Sequence, residues 1–289
     1  MSLQDRNTDC NALRETVGVI FDIKEFTLHD GPGVRTTVFL KGCPLHCIWC
    51  HNPEGMDVSP TLLYKERLCA HCGKCFAPCT HPECRPFGRC VKVCPRSALT
   101  VAGRPAAAGA LADKLAKSRD LFGEEGGVTV SGGEPLRQPA FSRALGLLLK
   151  AQGVHTALQT SGYAAEDAFS SVLEGYDYVL FDLKLAKDEE HRRYTGVSCE
   201  PIHRNLRILQ SSGIPHVVRI PLIPGITDTR ENLAALAELA GDSYVELEPY
   251  NTLAGAKYAM TGKEFTYREP DTPPEAPDLA LFSHVKLLK

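Results

Sequence analysis

Apolar runs alternate with stretches of helical spacing along most of the chain. Regular apolar spacing marks helices, for example at residues 141–151 and 231–240. The strand-like runs are nearly continuous in apolar residues, which favours a parallel sheet covered by helices. Six such units are too few for a closed eight-stranded barrel, so the pattern predicts an α/β fold, a partial (β/α)6 TIM-like barrel. The six strand-like runs are residues 36–42, 128–131, 155–160, 178–184, 217–222 and 244–250.

The remaining segments differ from this pattern. Residues 1–16 are polar without apolar periodicity and predict a flexible leader, and residues 18–22 predict an edge strand. Residues 57–104 hold seven cysteines and several prolines, and they predict a small domain inserted into a main domain formed by residues 17–56 and 105–289. Near the end of the chain, residues 269–277 predict an extended linker before a short element at 279–288.

Composition narrows the classes of function. A chain of 289 residues with a net charge of −3 has no electrostatic footprint for nucleic acid or an anionic membrane. No apolar run reaches the roughly 18 residues of a membrane span, and the first sixteen residues lack the apolar core of a signal peptide. The expected location is therefore the cytoplasm, where the twelve cysteines favour metal binding over disulfides.

Three cysteines are grouped on one short loop that follows the first strand of the barrel. Cys43, Cys47 and Cys50 stand at positions i, i+4 and i+7. Three thiolates can hold three irons of a cubane iron–sulfur cluster and leave the fourth iron open, as a reactive metal site requires. The alternative is a zinc knuckle, in which His46 or His51 would complete four ligands.

This loop resembles the motif of the radical S-adenosylmethionine superfamily, with Trp49 before the last cysteine. Its flanks, residues 29–35 (HDGPGVR) and 50–54 (CHNPE), resemble the activating enzymes of glycyl radical enzymes, such as the pyruvate formate-lyase activator. The similarity extends from about residue 18 to residue 258. It implies the partial barrel, an anaerobic oxidoreductase activity, and a 4Fe–4S cluster on Cys43, Cys47 and Cys50.

The resemblance also implies a mechanism and a partner. Reductive cleavage of S-adenosylmethionine would give a 5′-deoxyadenosyl radical, which removes a hydrogen from a glycine of a partner glycyl radical enzyme. The turn at residues 30–33 faces the partner's glycine loop in that family, so Asp30 and Arg35 are predicted partner contacts. Reduced flavodoxin or ferredoxin is the expected electron donor.

The same resemblance implies a binding site for S-adenosylmethionine. Asp182 and Lys184 lie two apart on an apolar strand and therefore share a face, where a structural ion pair is the alternative to a ligand contact. In the family this Asp-x-Lys reaches the methionyl carboxylate, and the aspartate lies near a monovalent cation. A glycine-rich stretch of the family binds the methionyl amino group. The remaining predicted cofactor-binding residues are Trp49, Gly132, Gly133, Glu134, Gln159, Thr160, Arg219 and Asn251.

Two of these positions depart from the family pattern. Gln159 stands before Thr160 where activating enzymes usually have Asp or Glu, and charge-assisted hydrogen bonds are roughly twice as strong as neutral ones. Asn251 stands where the family usually has His. Both residues are compatible with binding of the ligand, but cation binding and affinity are expected to change.

The inserted segment carries a ferredoxin-type pattern of cysteines. Cys69, Cys72, Cys75 and Cys79 match a bacterial ferredoxin run, and residues 90–95 match the end of a second run. Because the fourth cysteine of each run ligates the other cluster in two-cluster ferredoxins, Cys94 would join the first three around one 4Fe–4S cluster.

The second set is incomplete. Cys79, Cys84 and Cys90 supply three ligands, and position 87, where a fourth cysteine is expected, is Phe87. A non-cysteine ligand such as His81, a nonprotein ligand, a three-iron cluster or a vestigial site all remain open. The sequence thus predicts one or two further clusters in a ferredoxin-like insert, with a zinc ribbon as the alternative.

Two other functions are compatible with these motifs. One is a radical enzyme that modifies a different peptide or small molecule, and the other is a non-catalytic iron–sulfur or zinc module for electron transfer. Cys10 and Cys199 belong to neither cysteine group and are predicted to be free thiols without function.

Overall fold

The computed structural model of the chain describes residues 11–271 and 276–288. A nine-stranded sheet, in the order β11-β10-β9-β8-β7-β6-β2-β1-β5, forms its centre. The seven strands β2 and β6–β11 are parallel to their neighbours within this group. In contrast, β1 is antiparallel to both β2 and β5. The strands are β1 Val17–Thr27, β2 Arg35–Leu40, β3 Thr61–Tyr64, β4 Leu99–Ala102, β5 Arg104–Ala107, β6 Gly127–Gly132, β7 His155–Thr160, β8 Tyr178–Asp182, β9 His216–Leu222, β10 Tyr244–Pro249 and β11 Val285–Leu287.

Helices connect most of the parallel strands, as their sequence spacing predicts. Val130, Leu158 and Phe181 point from three adjacent strands into one apolar core beneath these helices. Burial of such side chains contributes about 1.5–3 kcal/mol each. The sheet is therefore the central layer of a mixed α/β fold, and its two edge strands, β5 and β11, leave it open. The helices are α1 Ala108–Ala116, α2 Pro139–Ala151, α3 Glu166–Leu173, α4 Asp188–Thr195, α5 Glu200–Ser211, α6 Arg230–Ala240 and α7 Ala254–Thr261.

All six predicted barrel strands are confirmed, as β2 and β6–β10, whereas the position of the strand predicted at residues 18–22 needs correction. The strand at residues 18–22 is not an edge strand, because β5 pairs with its outer side. In the predicted leader, residues 11–15 are helical, and residues 1–10 lie outside the described part. The element at 279–288 divides into a 3-10 helix, Leu279–Leu281, and strand β11. The predicted linker lies partly outside the described residues.

The cysteine-rich segment is joined to the sheet by a two-stranded antiparallel ribbon. Thr61 pairs with Ala102 and Tyr64 with Leu99, so β3 and β4 bring the two ends of the segment together. Between them, residues 65–98 contain only short 3-10 helices. In the described part of the chain, no helix has both the length and the apolarity to span a membrane.

Candidate functional site

A cavity of about 320 Å³ opens where the parallel strands end. Parallel strands place their carboxyl ends at one edge, which is where barrel enzymes carry their chemistry. The cysteine loop forms one wall of the cavity, and the ends of β6 to β10 form the others. The structure brings twelve predicted residues to this cavity: Asp30, Cys43, Cys47, Trp49, Cys50, Gly132, Gly133, Glu134, Gln159, Thr160, Asp182 and Lys184.

Backbone hydrogen bonds hold the cysteine loop in place. The amide of Gly42 donates to the carbonyl of Gly55 at 2.7 Å, and the amide of Cys43 donates to Met56 at 2.8 Å. These bonds close the loop on itself, while the amide of Glu134 donates to the carbonyl of Gly42 at 2.8 Å and ties the loop to the end of β6. These bonds therefore fix the backbone of the loop that carries the three thiols.

The three thiols are chemically suited to iron. Burial raises the pKa of Cys43, Cys47 and Cys50, to about 12 for Cys47, because a thiolate there would lose its hydration. A bound metal supplies the positive charge that stabilises the thiolate and deprotonates it. Three cysteines on one cavity wall thus fit the protein ligands of a metal cluster.

Gly132 and Gly133 are required by the approach of two backbones. Gly132 has φ of +129°, and a Cβ there would stand 2.2 Å from the amide nitrogen of Leu40. A Cβ on Gly133 would stand 2.5 Å from the carbonyl oxygen of Gly42. Both glycines also line the cavity, so the same turn admits the cysteine loop on one side and leaves room for a ligand on the other.

Glu134 links the end of β6 to the end of β7. Its carboxylate accepts hydrogen bonds from Thr160 Oγ1 at 2.5 Å, from the amide and hydroxyl of Ser161 at 2.8 and 2.6 Å, and from the amide of Leu136 at 3.0 Å. Burial raises the pKa of this carboxyl, and the four donors oppose that rise. Ser161 was not predicted from the sequence, because its role depends on the meeting of two strand ends.

Asp182 and Lys184 face the cavity together, as their spacing predicts. The ammonium of Lys184 lies 3.4 Å from Asp182 Oδ2, and Asp182 Oδ1 is buried without a hydrogen-bond partner. Burial lowers the pKa of Lys184, but Asp182 and the thiolate forms of Cys47 and Cys43 raise it above its ordinary value. A cation directed at the cysteines and an unpartnered carboxylate oxygen are suited to a charged ligand.

Aromatic side chains form part of the cavity wall. Trp49 is 4% exposed, and the centre of its ring lies 6.5 Å from the centre of the Tyr194 ring. Tyr250 also lines the cavity, and its ring lies 5.9 Å from His51. Sequence analysis singled out the position after Tyr250 instead. Asn251 is exposed and does not line the cavity, and its side-chain oxygen accepts a hydrogen bond from the amide of Leu253.

A lysine clamp that the sequence analysis missed closes the CHNPE stretch. Lys257, on α7, donates to Asn52 Oδ1 and Glu54 Oε1, both at 2.8 Å. On the other side, buried Lys41 donates to the carbonyl of Glu54 at 2.5 Å and to Thr61 Oγ1 at 2.7 Å. The acidic residue in this stretch was the only sequence signal for the clamp, because its partner lies about 200 positions away.

Arg35 is buried in the chain by itself, although the sequence predicted that it contacts the partner. Its side chain is 0% exposed, and its guanidinium donates to the carbonyl of Pro32 at 2.8 Å, to Thr129 Oγ1 at 2.7 Å and to the carbonyl of Val128 at 3.0 Å. Burial lowers its pKa to about 10. Arg35 therefore holds the turn at residues 30–33, whereas Asp30 lines the cavity and remains accessible from it.

Arg219 is placed differently from the prediction as well. Its guanidinium lies 2.9 Å from Glu246 and 3.3 Å from Glu248, and it donates to the carbonyl of His29 at 2.6 Å. Arg219 lines a smaller cavity on the other side of the turn and does not line the main one. A direct ligand contact is therefore not supported for Arg219, and its pairing explains why a charge is tolerated in β9.

The cysteines of segment 57–104 form two groups. Cys69, Cys72, Cys75 and Cys94 line a single cavity of about 260 Å³, which is the grouping that the ferredoxin pattern predicts. The other three cysteines gather around a histidine at a separate position. Of the two unassigned cysteines, Cys199 is buried beside Asp188, and Cys10 lies outside the described residues.

The chain is similar in sequence to several known proteins. A family model described as the radical SAM superfamily matches residues 37–237. The isethionate sulfite-lyase activating enzyme of Nitratidesulfovibrio vulgaris is 38% identical over 87% of this chain and 90% of its own length. The choline trimethylamine-lyase activating enzyme of Oleidesulfovibrio alaskensis is 36% identical, over 87% of this chain and 89% of its own. The 4-hydroxyphenylacetate decarboxylase activating enzyme of Clostridioides difficile is 32% identical, over 89% of each chain.

Proposed function

The chain belongs to the radical SAM superfamily and, within it, to the activating enzymes of glycyl radical enzymes, and we propose how its own residues perform that activity. The protein is an oxidoreductase that cleaves S-adenosylmethionine to a radical and activates a glycyl radical enzyme. No single partner follows from the relatives, because their names refer to different glycyl radical enzymes.

Cys43, Cys47 and Cys50 would hold the 4Fe–4S cluster. When bound, this cluster would supply the electron for cleavage of S-adenosylmethionine into methionine and a 5′-deoxyadenosyl radical, and that radical would remove a hydrogen from the partner's glycine. The chain itself would orient the ligand and limit its contact with water, because the cysteine loop, the strand ends and Trp49 line the cavity.

Charged groups of the cavity position the methionyl end of the ligand. Lys184 pairs with the methionyl carboxylate of S-adenosylmethionine. The unpartnered Oδ1 of Asp182 binds either the ligand or a monovalent cation. Gln159 and Thr160, at the end of β7, face the amino group, and Glu134 fixes Thr160 through its 2.5 Å hydrogen bond. This arrangement requires no general base, since the cofactor carries the chemistry.

The partner's glycine loop enters beside the turn at residues 30–33. Asp30 lines the cavity there, and its carboxylate accepts a hydrogen bond from Thr37 Oγ1 at 2.6 Å. Phe26 and Leu28 expose 63% and 65% of their surface next to the turn. Exposed apolar side chains beside a polar cavity mouth are suited to a protein partner.

Segment 57–104 is an inserted ferredoxin-like domain that holds one 4Fe–4S cluster on Cys69, Cys72, Cys75 and Cys94. The common cavity of these four residues supports this assignment. Cys72 is exposed, so a reduced flavodoxin or ferredoxin can approach the cluster closely. The insert would then provide a path for electrons toward the barrel cluster.

The observation that carries the proposal is the meeting of three cysteines with Asp182 and Lys184 in one cavity. The test mixes anaerobic, dithionite-reduced protein with S-adenosylmethionine and a panel of glycyl radical enzymes of the classes that the relatives activate. We expect 5′-deoxyadenosine, and a glycyl signal in electron paramagnetic resonance with the correct partner. Cys47→Ala should abolish both, whereas the matched control Cys199→Ala, at another buried cysteine, should retain both. 5′-Deoxyadenosine without a glycyl signal across the panel would favour a radical enzyme with another substrate.

A further inference from the structure

The second metal site of the insert differs in geometry from the first. The ligand atoms of Cys79, His81, Cys84 and Cys90 all lie within 4.8 Å of one another. His81 Nδ1 is 3.1 Å from Cys79 Sγ and 3.7 Å from Cys90 Sγ. A single tetrahedral ion with metal–sulfur bonds of about 2.3 Å and a metal–nitrogen bond of about 2.0–2.1 Å separates its ligand atoms by about 3.6–3.8 Å. The four atoms are therefore spaced for one ion.

The two proposed cluster sites do not share this spacing. In the described part of the chain, no other group of three or more Cys, His, Asp or Glu ligand atoms is so compact. The four thiols around the 260 Å³ cavity are therefore not spaced for a single ion. The same holds for the three thiols on the barrel loop. A cubane places a separate iron beside each thiolate, so its ligands must stand further apart than those of one ion.

Backbone hydrogen bonds fix the segments that carry these ligands, and two of the ligands are buried. His81 is the residue before a 3-10 helix, Pro82–Phe87, that carries Cys84, and the amide of Cys84 donates to the carbonyl of His81 at 3.1 Å. The amide of Cys90 donates to the carbonyl of Cys75 at 2.8 Å and so fixes the site to the first cysteine run. Cys84 and Cys90 are each 2% exposed.

We propose that Cys79, His81, Cys84 and Cys90 form a mononuclear Cys3His zinc site with a structural role. Three thiolates and one imidazole in a tetrahedron are a ligand set of structural zinc, and four protein ligands leave no position for a substrate. Phe87 occupies the place of the cysteine that a second cubane would need, and His81 supplies the fourth ligand instead. Because zinc does not change its oxidation state, the insert contains one electron-carrying cluster.

Metal content of the anaerobically purified full-length protein tests the proposal. We expect one zinc per chain and about eight irons, four for each of two cubanes. X-ray absorption at the zinc edge should give three sulfur ligands at about 2.3 Å and one nitrogen at about 2.0–2.1 Å. About twelve irons without zinc, or a zinc bound by four sulfurs, would overturn the proposal.

Two variants test the ligand role of the histidine. His81→Ala should lose the zinc, and His81→Cys should retain it with four sulfur ligands. His71→Asn, at the other histidine of the insert, is the matched control and should retain zinc with three sulfurs and one nitrogen. Unchanged zinc content and coordination in His81→Ala would refute the assignment. These readouts do not depend on cleavage of S-adenosylmethionine, so the proposed function can fail or hold independently.

Discussion

Replacement of Arg35 by methionine distinguishes a structural arginine from a partner contact. Arg35→Met keeps most of the side chain's length and apolar contact but removes every donor. The carbonyls of Pro32 and Val128 then lose the guanidinium donor, and Thr129 Oγ1 loses the bond that it accepts but keeps the one that it donates to the carbonyl of Asp30 at 2.6 Å. Since Arg35 is 0% exposed, water does not replace the guanidinium without a rearrangement of the turn.

The magnitude follows from two opposing terms. Hydrogen bonds from a charged donor contribute about 1.5–3 kcal/mol each, so three good bonds give roughly 5–9 kcal/mol. Burial of the charge opposes them, and the lowering of the pKa from 12.5 to about 10 corresponds to about 3 kcal/mol. We therefore expect Arg35→Met to lower the free energy of unfolding by about 2–6 kcal/mol, which includes the range measured for broken buried networks.

Thermal unfolding followed by circular dichroism is the assay. At about 2–4 °C per kcal/mol for a chain of this size, the midpoint should fall by roughly 4–24 °C. Arg230→Met is the matched control, because Arg230 is exposed and its ion pair with Asp278 should contribute no more than about 1 kcal/mol. A variant that melts within about 2 °C of the wild type but fails to activate its partner would refute the reasoning and restore Arg35 as a contact residue.

Three further predictions follow from the site. Lys184→Met should raise the KM for S-adenosylmethionine by about tenfold or more, equivalent to one lost charge-assisted bond of about 1.5–3 kcal/mol, in a steady-state assay of 5′-deoxyadenosine; an unchanged KM would exclude the ligand contact. Burial lowers the pKa of Lys41 from 10.5 to about 8, so its contribution to stability is present above pH 10.5 and is lost as pH falls through 8. The difference in unfolding free energy between the wild type and Lys41→Met should therefore shift by up to about 3 kcal/mol over that window in urea titrations, and a constant difference would contradict this. Cys72→Ala should lose about four irons, keep the barrel cluster and slow activation by reduced flavodoxin, and equal activation rates would exclude an electron relay through the insert.

Local sequence was sufficient for the parallel sheet and for most of the cavity. The apolar runs that become β2 and β6–β10 carry their own periodicity, and the cysteine spacing at 43, 47 and 50 lies within one loop. The spacing of Asp182 and Lys184 predicted that both lie on one face, and both do line the cavity, although β8 ends at Asp182 and Lys184 stands in the loop that follows it. Each of these features depends on neighbours along the chain.

Tertiary structure decided the features that depend on distant residues. Lys257 reaches Glu54 across 203 positions, and Arg219 reaches the carbonyl of His29 across 190. The sequence shows only that Arg35 and Arg219 are charged residues near the motifs. The tertiary structure shows that Arg35 donates hydrogen bonds to buried carbonyls and that Arg219 forms ion pairs with carboxylates. A charge in a sequence does not specify its partner, because that partner is selected by which strand ends the sheet brings together.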